Sequence, residues 1–278
     1  MINPKTQLNL VIGNPLEHTK SPMLHNTIYN SLNCNAVMLA HVCRNVASTI
    51  AALKTLSVGL VAVTMPYKEM IMPYLDSMSK EVETIKAANT IIIQDGKLSG
   101  HNTDVDGIAY SFREVSFVNK NVLIIGAGGA SRAAAYYLNE RQATIFWLNR
   151  TPQHVFPLLE TFGGSRVEAN DIDHLPIDII INTTPLGMFP AVQTSPLPHY
   201  RFQSHQVVFD MVYNPVETRL IKQARSQGAI GLSGLDMFVG QGLKQIELWL
   251  KRPILTSDMA NLIKDKLYQS LGSSLEPA

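Results

Sequence analysis

Residues Asn121–Thr151 read NVLIIGAGGASRAAAYYLNERQATIFWLNRT. The apolar run Val122–Ile125 predicts a strand buried on both faces. It leads straight into Gly126-Ala127-Gly128-Gly129 and then into the Ala-rich, helix-forming Ser131–Glu140. A second apolar run, Ala143–Leu148, predicts another strand and ends on Asn149-Arg150-Thr151. Strand, glycine turn, helix and strand make the βαβ unit that receives a dinucleotide pyrophosphate at a helix N-terminus. Glycines let the backbone approach the phosphates where a Cβ would obstruct, although Ser131 stands at the third glycine position.

The end of the second strand bears on which dinucleotide. An NAD site places Asp or Glu there to hold the ribose hydroxyls, whereas a 2′-phosphate calls for an arginine and no carboxylate. Asn149, Arg150 and Thr151 therefore favour NADP as cofactor.

Outward from this unit, 278 residues suffice for two domains of ordinary size. A net charge of +1, with no basic cluster, argues against nucleic acid as a partner. There is no long apolar run that would suggest a membrane span, and the first residues do not resemble a secretory leader. Cys34 and Cys43 lie in no metal-ligand pattern, so no metal is expected; both read as reduced, and the protein as cytoplasmic.

Upstream, strand and helix signals alternate. Strands are expected at Leu8–Ile12, Ala36–Ala40, Leu60–Thr64 and Asn89–Ile93, and helices from Ser21-Pro22 (serine as N-cap), over Val46–Ser57 and over Tyr67–Leu75. Gln94-Asp95-Gly96-Lys97 reads as a hairpin turn, which suggests one antiparallel edge on a mostly parallel sheet. A helix follows over Asp106–Glu114. Downstream come a helix at His154–Phe162, strands at Ile177–Ile181, Val207–Met211 and Ala229–Leu232, and a helix over Pro215–Gln227. Asp236–Leu271 carries two helical patterns and no strand. The expected fold class is α/β with two domains: an N-terminal α/β domain (1–103 plus 237–278), onto which the closing helices pack, and a Rossmann domain (104–236).

Short polar motifs sit at the strand ends, where such sheets place their sites. They are Gly13-Asn14-Pro15-Leu16 through Ser21-Pro22 and His25-Asn26, Val63-Thr64-Met65-Pro66-Tyr67-Lys68, Ala88-Asn89-Thr90 and Asn102-Thr103-Asp104. After the glycine turn and Asn149-Arg150-Thr151 come NTTPLGM at Asn182–Met188, DMVYNP at Asp210–Pro215 and GLDMFVGQ at Gly234–Gln241. In this order, over nearly the whole chain, the set resembles the shikimate dehydrogenase family.

The resemblance implies reversible reduction of 3-dehydroshikimate to shikimate with NADPH, a step towards chorismate and the aromatic amino acids. It implies Lys68 and Asp104 as the catalytic pair, and Thr19, Ser21, Thr64, Asn89, Tyr213 and Gln241 as substrate contacts. Gly126, Ala127, Gly128, Gly129 and Ala130 with Asn149, Arg150 and Thr151 would hold NADP, and Met211 and Gly234 would lie near the nicotinamide. Thr19 stands where the family usually has serine, Ala62 where many members have asparagine, and His154 where a second basic residue is frequent. The partner is a small molecule, with no nucleic acid and no membrane, and family members occur as monomers or homodimers. Two other functions fit the same motifs: a quinate/shikimate dehydrogenase using NAD or NADP, and a non-catalytic sensor of NADP redox state. Retention of Lys68 with Asp104 speaks against the sensor, which has no use for a proton donor.

Overall fold

The apolar runs become strands with helices between them, in a computed structural model that describes residues 2–272. The chain divides into two units, residues up to 107 with 239–267, and residues 108–238 with the described residues from Tyr268 onward. The divisions fall inside helices and not at the expected 103/104 and 236/237, and the last turns of the closing helix count with the second unit.

In the first unit the elements are β1 (Gln7–Gly13), α1 (Ser21–Ser31), β2 (Ala36–Val42), α2 (Val46–Thr55), β3 (Leu60–Val63), β4 (Ser77–Met78) and α3 (Lys80–Ile85). β5 (Thr90–Gln94), β6 (Lys97–His101) and the start of α4 (Asp104–Ser111) follow. Their sheet has the order β2-β1-β3-β5-β6-β4. β5 is antiparallel to both neighbours and is an interior strand, not the antiparallel edge the hairpin suggested. Thr90 and Ile91 are fully buried, so the backbone groups on both sides of β5 need partners, and pairing with β3 supplies them. The hairpin itself forms where expected: Asp95 (φ 51°) and Gly96 (φ 73°) both take the left-handed region that a two-residue turn demands.

Two local expectations fail. Tyr67–Leu75 is a run of turns ending in a 3-10 turn at Met72–Tyr74, because Pro66 and Pro73 leave too few residues to offset the cost of a helical nucleus. Ser21 is the first helical residue of α1 rather than its N-cap, and Lys20 takes the cap position with no side-chain cap bond. α3 and β4 are additions that the sequence pattern does not predict.

The second unit runs from the rest of α4 through β7 (Asn121–Ile125), α5 (Gly129–Asn139), β8 (Thr144–Leu148), α6 (Phe156–Phe162), β9 (Ser165–Arg166), β10 (Ile179–Asn182) and β11 (Val207–Asp210). α7 (Arg219–Ser226), β12 (Ile230–Ser233) and the first turn of α8 (Gly234–Leu250) complete it. α7 starts four residues later than Pro215 because Thr218 caps it, accepting from Ile221 N. The sheet is wholly parallel in the order β12-β11-β10-β7-β8-β9, the doubly wound Rossmann arrangement. Its direction of winding reverses beside β7, so the glycine turn opens at the switch point.

α8 then returns to the first unit, followed by α9 (Ser257–Gly272). At Gly242 an added Cβ would stand 2.5 Å from the Leu24 side chain, so α8 lies directly on α1. Trp249 meets Tyr29 edge-on at 5.6 Å. Among the described residues no helix is long and apolar enough to cross a membrane, and no cluster of ligating side chains could hold a metal.

Candidate active site

In the first unit the polar motifs converge at the carboxyl ends of β1 and β3 and on the chain around β5. Thr64 N donates to Ile12 O at 2.9 Å and Asn14 N to Met65 O at 3.0 Å, which ties the segment after β1 to the one after β3. Tyr67 donates its hydroxyl to Cys43 O, and Ala88 N donates to Lys68 O at 2.9 Å. These bonds hold the non-helical turn that carries Lys68. Its ammonium lies 2.5 Å from Asp104 Oδ2, with side chains 22% and 7% exposed. Asp104 sits in the first turn of α4, where the helix dipole favours a carboxylate.

Asn89 completes the arrangement. Its amide donates to Asp104 Oδ1 at 2.8 Å and to Thr103 Oγ1 at 3.0 Å. Its carbonyl oxygen accepts from Thr103 N at 2.8 Å and Thr90 Oγ1 at 2.7 Å. Both amide hydrogens are thus donated inside the protein. Asn89 serves Asp104 here, and a hydrogen bond to a substrate would require giving up one of them. Behind it, Gln245 Nε2 donates to Thr90 Oγ1 at 3.0 Å and Asn89 O at 3.3 Å. Gln241 lies one helical turn before Gln245. Thr19 Oγ1 accepts from Ser21 N at 3.4 Å.

His25 is fully buried beneath this region, with Nδ1 at 2.9 Å from Ser21 O, which can only accept. Burial pushes its pKa down to about 4, against smaller upward effects of that carbonyl and of Gln245.

In the second unit the glycine turn fits a dinucleotide. Gly126 has φ +112°, and a Cβ there would stand 2.4 Å from Thr183 Oγ1. An added Cβ on Gly128, the residue capping α5, would meet nothing within 4 Å, so the helix N-terminus opens into free space. Ser131 is fully buried and donates to Gly128 O at 2.7 Å, taking the packing place of the third glycine. Asn149 Nδ2 donates to Thr151 O at 2.8 Å, while Arg150 is exposed with no ion-pair partner among the described residues. An arginine without a carboxylate partner at this strand end suits a 2′-phosphate. Gly234 packs on the Met211 carbonyl, where a Cβ would come within 2.4 Å of the oxygen. Tyr213 stacks on Phe238, ring centroids 4.2 Å apart and planes at 12°.

Comparison with known proteins identifies the architecture. The model for the shikimate dehydrogenase substrate-binding domain matches residues 11–91, and that for shikimate/quinate 5-dehydrogenase matches residues 109–210. The chain belongs to the shikimate dehydrogenase family. A shikimate dehydrogenase (NADP(+)) of Moorella thermoacetica is 36% identical, over 98% of each chain. A shikimate dehydrogenase solved in complex with NADP+ superposes with a TM-score of 0.89 at 35% identity, over 96% of this chain and 97% of the other. The Thermus thermophilus shikimate 5-dehydrogenase, solved with NADP(H) and shikimate, gives 0.85 at 30% identity over 94% and 99%.

Within this shikimate dehydrogenase fold the structure adds residues that the sequence reading left without a role. Thr90 and Thr103 lie inside motifs already noted, yet their bonds to Asn89 are visible only in three dimensions. Gln245 had one available signal, its position one turn after Gln241 on the same face of α8.

Proposed function

We propose that this chain reduces 3-dehydroshikimate to shikimate with NADPH, reversibly, in the pathway to the aromatic amino acids. The observation that carries this reading is the Lys68–Asp104 contact of 2.5 Å, in a chain of the shikimate dehydrogenase family. When bound, NADPH supplies the hydride that reaches the carbonyl carbon. Lys68 Nζ gives its proton to the carbonyl oxygen, and in the reverse direction takes it back from the hydroxyl. Asp104 orients that ammonium and accepts from a substrate hydroxyl, with Asn89 holding the carboxylate in place. Thr19, Ser21, Thr64, Tyr213 and Gln241 bind the rest of the substrate. Hydroxyl donors each add about 0.5–1.5 kcal/mol, so several replace the arginine that the motifs lack near the substrate carboxylate.

In this reading the first unit is the substrate-binding and catalytic domain and the second the NADP domain. Gly126, Ala127, Gly128, Gly129 and Ala130 receive the pyrophosphate, and Asn149, Arg150 and Thr151 the 2′-phosphate. Met211 and Gly234 lie beside the nicotinamide. The protein works in the cytoplasm on small molecules, as a monomer or homodimer, without nucleic acid or membrane.

Following NADPH oxidation by the loss of its nicotinamide absorbance, with 3-dehydroshikimate as substrate, tests the activity. A folded protein that leaves NADPH unoxidised overturns it, and faster oxidation of quinate than of shikimate in the reverse direction would reassign the substrate. Arg150→Ala tests the cofactor. A charge-assisted contact contributes about 1.5–3 kcal/mol, so the KM for NADPH should rise about 10- to 100-fold while that for NADH stays put. Equal efficiency of the wild type with both cofactors would show that no 2′-phosphate is recognised.

A further inference from the structure

The carboxyl ends of β10 and β11 are joined by a buried polar cluster that no step above uses. Asp210 is fully buried and its carboxylate is surrounded by donors: Asn182 Nδ2 at 2.9 Å and Val212 N at 3.0 Å on Oδ1, and Thr218 Oγ1 at 2.6 Å on Oδ2. Asn182, also fully buried, accepts on its own Oδ1 from Thr184 N at 3.0 Å and Thr184 Oγ1 at 2.7 Å. Thr218 in turn accepts from Ile221 N and so caps α7. One carboxylate therefore anchors the segment after β10, the segment after β11 and the start of α7.

The Met211 backbone is fixed from both sides by this arrangement. Met211 N donates to Asn182 O at 3.0 Å, Val212 N is bound by Asp210, and Gly234 presses against the Met211 carbonyl. All three groups around Asp210 donate. An ionised carboxylate satisfies them together because it only accepts, whereas an amide would keep the Thr218 contact only by reversing it, with the hydroxyl turned round to accept. A buried carboxylate costs desolvation that a neutral residue would avoid, so its presence calls for a task beyond filling space.

We propose that Asp210, with Asn182 and Thr218, is a positioning residue that sets the Met211–Val212 backbone and through it the placement of the nicotinamide ring for hydride transfer. The proposal rests on the reading that Met211 and Gly234 flank the nicotinamide. Misplacing a reacting group by about 1 Å can cost on the order of 10²-fold in rate, so a loosened clamp acts on the chemical step.

The test uses the full-length enzyme and three variants, Thr218→Val, Thr218→Ser and Asp210→Asn, assayed with NADPH and with NADPH deuterated at the transferred C4 position. Thr218→Val is nearly isosteric and removes the hydroxyl, and with it both the donor to Asp210 and the cap of α7. It should lower kcat about 10-fold or more, raise the KM for NADPH, leave the KM for 3-dehydroshikimate unchanged, and enlarge the deuterium isotope effect on kcat as hydride transfer becomes rate-limiting. Thr218→Ser keeps the hydroxyl and should restore kcat, the KM for NADPH and the isotope effect, the three quantities that Thr218→Val changes. A merely structural role would reduce the fraction of active enzyme, lowering apparent kcat with KM and isotope effect untouched, and that result overturns the proposal. Should Asp210→Asn fail to fold, the Thr218 pair still decides. Wild-type enzyme without NADPH turnover would instead overturn the underlying reading, and this proposal with it.

Discussion

Replacing Lys68 with alanine should lower kcat by about 10²–10⁴-fold in a protein that still folds. The ammonium is the ion-pair partner of Asp104 at 2.5 Å, and Asn89, the other group on that carboxylate, is neutral. No second cation at Asp104 appears among the ion pairs of the described residues, so none is in place to donate the proton. Lys68→Arg separates two contributions. A guanidinium keeps the positive charge but does not release a proton. Activity recovered in the arginine variant would assign Lys68 to electrostatic stabilisation of the alkoxide, and continued loss assigns it to proton transfer. Near-normal turnover of a folded Lys68→Ala protein would remove the residue from the mechanism. Circular dichroism checks the fold of the whole chain, including the first unit that carries the lysine, and NADPH binding checks the second unit.

Two buried groups, His25 and Asp210, should respond to acid in opposite senses. His25, in the first unit, has its pKa pushed down from 6.5 to about 4 by burial. Between those values the unfolded chain binds the proton more readily than the folded one. The stability His25 contributes is complete above pH 6.5 and is lost as pH falls towards 4, roughly 3 kcal/mol in all. Asp210, in the second unit, has its pKa pushed up from 3.8 to about 6 by burial, only partly offset by the bonds from Thr218, Val212 and Asn182. Its folded form holds the proton more tightly, so its contribution is complete below pH 3.8 and roughly 3 kcal/mol is lost as pH rises through 6.

The chain's two tryptophans, Trp249 and Trp147, fall one in each unit, which allows the transitions to be followed apart. In urea unfolding, with Trp147→Phe the remaining fluorescence reads the first unit, and with Trp249→Phe the second. Asp106, also in the first unit, is shifted upward by burial and opposes His25. The difference between wild type and His25→Gln therefore isolates the histidine. It should grow steadily between pH 4 and 6.5 (the limits set by the two His25 values) and level off outside them. A pH-independent difference would mean that His25 is not buried in its neutral form. The corresponding Asp210→Asn difference should run the other way over pH 3.8 to 6.

Much of the second unit was legible because its signals are local. A four-residue apolar run, a glycine that must take φ +112°, and an alanine-rich helix are read within one window, and they became β7, Gly126 and α5. The Asp95-Gly96 hairpin was legible for the same reason. Errors arose where a local pattern met a constraint from farther away. Tyr67–Leu75 has helical composition but follows Pro66, contains Pro73 and is pinned by bonds to Cys43 and Ala88. β5 reads as half of an edge hairpin, yet its buried backbone demanded β3 on its other side.

By itself the sequence determined most of the strands and helices, the glycine turn, and the carboxylate-free strand end at Asn149-Arg150-Thr151 that favours NADP. These depend on residues within a few positions of one another, where backbone conformation and side-chain type decide the outcome. Only the tertiary structure decided that Asn89 holds Asp104, that Gln245 reaches Thr90 across 155 positions of sequence, and that Asp210 gathers donors from three segments. A hydrogen bond is directional and short-ranged, so which distant side chains share one is set by how the elements pack.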